Sequence, residues 1–170
     1  MKRLAILLMA LLLDSQATGR LKTAWTHDAL RDRAEFIVVA VPTSVVYTEE
    51  QEELTGLAKR TPDGKPDPVM ATVVETTFTV LTILKGDTTL KSFQLRHCWL
   101  EPPKREPTAC CGPSLIRFKP SDRKNYLLFL LRDTKGRYVP VAGQTDLLDS
   151  VWLVGSSLSA PNNLLDRSRP

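Results

Sequence analysis

His97, Cys98, Cys110 and Cys111 form the densest group of reactive side chains in the 170-residue chain. An imidazole with three thiols is a soft donor set of the kind that holds zinc, and a thiol beside an imidazole is the smallest nucleophile–base pair. The spacing argues against both uses. Zinc fingers and ribbons take cysteine pairs roughly two to four residues apart, whereas here one Cys stands alone and two are adjacent. His97 and Cys98 are neighbours in an alternating apolar segment. On a strand such neighbours face opposite ways, so they neither share an ion nor meet as acid and base. A metal-dependent enzyme or metal-binding protein centred on these four residues is the alternative reading.

The same thiols fit a disulfide. With Cys98 on the outward face of its strand, a bridge to Cys110 or Cys111 closes a loop of about a dozen residues, worth about 3 kcal/mol by loop entropy. One thiol is left over, and a bridge between the adjacent Cys110 and Cys111 is the strained alternative. Other catalytic sets are missing. The chain has no Gly-x-Ser-x-Gly elbow, phosphate-binding glycine loop, His-Glu-x-x-His or dinucleotide fingerprint, and only two histidines. The expectation is a protein without catalytic residues, metal or cofactor. His97 and Trp99, with Phe93 beside them and Arg105 in the loop that follows, are the candidate binding surface, a stacking platform of the kind that takes bases or sugars. The competing reading of that apolar face is plain core.

These residues must be positioned by strands. Trp25 to Arg33 predicts a short helix, with Thr26 as N-cap, Asp28 in the positive first turn, Arg31 and Arg33 in the negative last turn, and Trp25 stapled to Leu30. His27 is expected to be solvated at its start. Glu35 to Tyr47 reads as a strand covered on both faces and bent at Pro42. Thr48 to Pro68 reads as a long polar loop with a helical turn over Gln51 to Ala58. Val69 to Leu84 is too long for a flat strand in so small a domain and must coil. Phe93 to Trp99 puts Phe93, Leu95, His97 and Trp99 on one side and Gln94, Arg96 and Cys98 on the other. After a second long loop, Leu100 to Asp122, come strands over Asn125 to Arg132 and Arg137 to Ala142, the latter limited by Pro140. Leu147 to Val154 fits strand or helix equally. Residues 156–170 read as a disordered tail.

Before all of this stand Lys2, Arg3 and the ten-residue apolar run Leu4 to Leu13, followed by Ser15 and Ala17. That is the pattern of a signal peptide over residues 1–17, cleaved after Ala17, which predicts a secreted, periplasmic or envelope protein. Ten apolar residues are too few to span a bilayer, so no membrane association is expected after cleavage. Without Lys2, Arg3 and Asp14, the 23 basic and 19 acidic residues become 21 and 18, a net charge of +3. So small an excess gives no nucleic-acid footprint.

Five strands, one of them long and coiled, with one short N-terminal helix and two long loops, predict a mainly β domain over residues 18–155: an OB-like Greek-key barrel. Arg33 to Val41, Thr77 to Gly86 and Asn125 to Leu130 resemble the best-marked segments of the netrin-like domain, the fold of the tissue inhibitors of metalloproteinases. The resemblance also extends to exported bacterial proteins with a similar Tyr-Leu-Leu-Phe-Leu strand. It implies a fold rather than a function, and no functional residue of the family is carried over. It does not imply the metalloproteinase inhibitors' zinc chelation by an N-terminal Cys, because Cys98 is the first cysteine of this chain. The expected function is an exported binding module that presents its two long loops to a protein or polysaccharide partner.

Overall fold

The structure is a computed structural model that describes residues 25–101 and 113–156. The expected signal peptide, Arg105, Cys110, Cys111 and residues 157–170 lie outside the described residues. The chain runs α1 (His27–Arg33), β1 (Phe36–Arg60), β2 (Pro66–Lys85), β3 (Ser92–Trp99), a 3-10 turn (Pro120–Asp122), β4 (Lys124–Arg132), β5 (Tyr138–Pro140), a second 3-10 turn (Leu147–Ser150) and β6 (Val151–Ser156). The domain is mainly β, as its composition of β-branched and alternating segments requires.

Six strands form one mixed sheet in the order β1-β2-β3-β5-β4-β6. Pairing of β1 with β4, from Phe36 opposite Leu130 to Ala40 opposite Tyr126, closes five of them into a ring. β3 and β5 meet in parallel at Leu95 and Tyr138, and all other pairs are antiparallel. The sixth strand comes from the ambiguous segment Leu147 to Val154. It divides into a 3-10 turn and a strand that pairs with β4, so the expected count of five strands is corrected to six.

The larger correction concerns Thr48 to Pro68. These residues are not a loop with a helical turn. β1 and β2 continue through them as one antiparallel hairpin that turns only at Thr61–Lys65. There the Thr61 hydroxyl donates to Asp63 and to the Lys65 carbonyl, and Gly64 takes the left-handed φ of +81°. Leu54 on β1 and Val69, Ala71 and Val73 on β2 are buried, and this alternation holds the arm as sheet while the glutamates between them stay wet. Five register shifts interrupt the β1–β2 pairing, one of them at Pro42. Each leaves an unmatched residue that bends and twists the ribbon.

The main core fills the ring: Phe36, Val38 and Ala40 from β1, Phe78 from β2, Phe93 and Leu95 from β3, and Tyr126, Leu128 and Leu130 from β4. Phe118, from the segment expected to be loop, enters this core edge-on to Phe78, His97 and Tyr126. A second cluster lies outside the ring, where α1 lays Leu30 against Ile37 and Phe129. The helix start is as expected: the Thr26 hydroxyl accepts from the Ala29 N–H at 3.2 Å, and Trp25 packs in the same cluster as Leu30. His27, though exposed, stacks on Trp152 at 3.7 Å. Gly86 follows β2 with φ +110°, and a Cβ there would stand 2.7 Å from the Phe36 ring, so only glycine fits this turn.

Candidate functional site

β3 distributes its side chains to two faces, as the alternation predicts, and the two faces have different fates. Phe93, Leu95 and His97 point into the ring. His97 is 1% exposed, its Nε2 is 2.9 Å from the Thr76 hydroxyl, and its Nδ1 makes no hydrogen bond among the described residues. Burial pushes its pKa down to about 4, so the imidazole is neutral at physiological pH. His97 therefore supplies no binding surface. It is a core histidine, and its removal from the candidate surface is a correction.

Cys98 lies on the opposite face, which the sequence reading took as outward. It is buried among Leu54, Val69, Ala71 and Val73, because the hairpin arm curls over this part of β3. Among the described residues it is a free thiol; its expected bridge partners, Cys110 and Cys111, lie outside them. Burial, with the nearby Glu52 charge, pushes its pKa up to about 12, so it carries no thiolate to act as nucleophile or ligand. His97 and Cys98 belong to separate clusters on either side of the sheet, which prevents them from sharing an ion or a proton.

Trp99 is the member of the expected surface that is reachable. Two pairs beyond His97 and Val74, Thr72 lies opposite Trp99 on the same face of the sheet. Tyr47, opposite Val74 on β1, lies across β2 from them and is 46% exposed. With Glu101 and Arg117 these residues line a recess of about 400 Å3. The Arg117 guanidinium lies 5.8 Å from the Trp99 ring centre, within cation–π range. The Thr72 hydroxyl accepts from the Gln51 side-chain amide at 3.1 Å. The recess thus offers two aromatic side chains, a hydroxyl, one carboxylate and one guanidinium.

An ion cluster holds the arm on the Arg96 side of β3, the face opposite the one that bears Trp99. The Arg96 side chain, 8% exposed, donates to Glu50 at 2.8 Å and to Glu52. Arg137, which also binds Asp133 at 2.8 Å, approaches the other Glu50 oxygen at 3.8 Å. Arg96 holds the Glu50 carboxyl below its ordinary range through hydrogen bond and charge. Thr145 ties the arm from the other side, its hydroxyl donating to the Thr55 carbonyl at 3.2 Å. Sequence reading missed this cluster. Its signal was the spacing of Glu50, Glu52 and Leu54, which puts all three on one side of a strand.

A larger cleft, about 520 Å3, lies between α1 and the outer sheet face, floored by Ile37, Leu127 and Phe129. Its charged rim is already engaged: Arg31 pairs with Asp28 at 3.1 Å, and the Lys85 ammonium donates to the Arg31 carbonyl at 2.9 Å. The Trp99 recess is the better candidate because its groups are less fully engaged with one another. Comparison with known protein families and with curated proteins finds no match to this chain.

Proposed function

We propose that the protein is an exported, non-catalytic binding module built on a netrin-like, OB-type barrel, with the Trp99 recess and the hairpin arm as its contact surface. The observation that carries this reading is the position of the recess on the β2–β3 face, beside the arm. In OB folds the face of the second and third strands and the loop joining the first two form the ligand-binding surface. Here Thr72 and Trp99 lie on those two strands, on the side that His97 turns to the core, and the arm stands where that loop would be. The barrel is supported by the ring order β1-β2-β3-β5-β4-β1 and by the parallel contact between β3 and β5. The non-catalytic reading is supported by the His97 imidazole sealed in the core and the Cys98 thiol held protonated.

The partner is a protein or polysaccharide rather than a nucleic acid, because one Glu against one Arg in the recess gives no net positive field for phosphates. The test places a photo-crosslinking residue at Tyr47 of the full chain, expressed in its native envelope. The expected result is one discrete adduct that disappears with Trp99→Ala. Equal labelling in both proteins, or hydrolytic turnover lost with His97→Asn, would overturn the reading.

A further inference from the structure

We propose that the Trp99 recess takes a neutral carbohydrate chain, with sugar rings stacked on Trp99 and Tyr47. This rests on the binding-module reading and names its ligand class.

The two aromatic side chains stand on β1 and β3 with β2 between them, two strand spacings across and two residues along the strands, since Tyr47 is level with Val74 and Trp99 with Thr72, a separation of about 12 Å. That distance suits alternate rather than adjacent rings of one extended chain and is too wide for a single ring held as a sandwich. A sugar ring presents an apolar C–H face and a rim of hydroxyls. The apolar face needs an aromatic surface with its electron-rich side available, and the hydroxyls need donors and acceptors together. Here the donors are the Arg117 guanidinium and the acceptor is the Glu101 carboxylate, with the Thr72 hydroxyl between the strands. Arg117 lies over one face of the Trp99 ring, so a sugar stacks on the opposite face, with the guanidinium N–H groups beside it.

Charge decides between ligand classes. A polyanion such as heparin or single-stranded DNA gains from Arg117 what it loses to Glu101, and Glu49 and Glu53, the arm glutamates outside the Arg96 ion cluster, repel it further. A neutral chain meets no such opposition and can satisfy both charged groups by hydrogen bonds. Binding is therefore expected to be insensitive to salt.

The experiment titrates the full chain with neutral β-linked gluco-, xylo- and chito-oligosaccharides, and separately with heparin and oligo(dT), following tryptophan emission and heat. At least one neutral series is expected to bind, with affinity unchanged between about 50 and 200 mM salt, a range over which phosphate-driven binding collapses. Trp99→Ala and Tyr47→Ala should each weaken it about tenfold. Should Trp99→Ala fail to fold, Tyr47→Ala and Glu101→Gln carry the test, since both sites are exposed. Binding of heparin or oligo(dT) alone, with a steep salt slope, overturns the carbohydrate assignment and leaves the module reading intact. So does failure of every probe while the Tyr47 crosslink survives; failure of probes and crosslink together overturns both.

Discussion

The hairpin of β1 and β2 passes through two environments, and its two halves are held by different means. In the ring half, Phe36, Val38, Ala40 and Phe78 are buried among aromatic and aliphatic neighbours from four strands. In the arm half the apolar support shrinks to Leu54, Val69, Ala71, Val73 and Cys98, and a buried guanidinium between two carboxylates completes the attachment. The ring gains stability from area removed from water, which is non-directional. The arm is fixed in place by a few directional contacts, which specify a position more than they add stability. The half that bears the recess is the half with less to hold it.

The strongest way to separate the two halves is to empty each core. Phe78→Ala should cost about 3–5 kcal/mol and unfold the whole domain. Leu54→Ala should cost less and leave the ring folded. Hydrogen exchange of both variants checks this: if Leu54→Ala releases ring amides as fast as arm amides, the halves are one cooperative unit.

Acid should attack the ring first. His97 takes a proton near 6.5 when unfolded but only at about 4 inside the ring. Between those values the unfolded chain binds more protons than the folded one. The stability contributed by the neutral imidazole is whole above pH 6.5 and falls by about 3 kcal/mol as pH drops towards 4. Denaturation curves of the wild type should show this slope, and those of His97→Asn should lack it. A slope common to both would assign the loss to carboxylates such as Glu50, which also favour the folded state only while charged.

Arg96→Met keeps the stem and removes the charge. Glu50 and Glu52 are partly exposed and can rehydrate, so the cost should be about 1–3 kcal/mol. The loss should appear as faster exchange in the arm with the ring unchanged, and a ring equally loosened would show that the cluster braces the whole sheet. The smallest effect is expected from Cys98→Ser, about 1–2 kcal/mol, because a hydroxyl replaces a thiol in an apolar cluster. It should be the same with and without reductant. A loss seen only under oxidising conditions would restore the bridge to Cys110 or Cys111.

The ring strands were legible because their signals are local. Unbroken apolar runs such as Phe36 to Val41 and Tyr126 to Leu131 mark strands covered on both faces, and Thr26 with Asp28 marks a helix start. The arm was hidden because its strands bury one face only, and the other reads as glutamates with turn-forming Pro and Gly, the composition of a loop. Phe118 was hidden for a related reason: it is a single aromatic in a Pro-rich stretch with no period to betray it. Among the described residues of the expected surface, Trp99 alone is found in a recess, while His97 shares its face but lies two pairs deeper, where Phe118 covers it. Exposure along one strand face depends on what the rest of the chain lays over it, and nothing in residues 93–99 encodes that.

The pairing that shuts the ring joins Phe36 to Leu130, residues from opposite ends of the described fold. Bringing such distant partners together is entropically slow, whereas the β1–β2 hairpin zips from its own turn. As the chain emerges, the hairpin can therefore form early, while the enclosure waits until β4 has emerged as well. Through that interval Phe36, Val38 and Phe78 stay uncovered, making this a vulnerable stage of biogenesis for a protein of this topology.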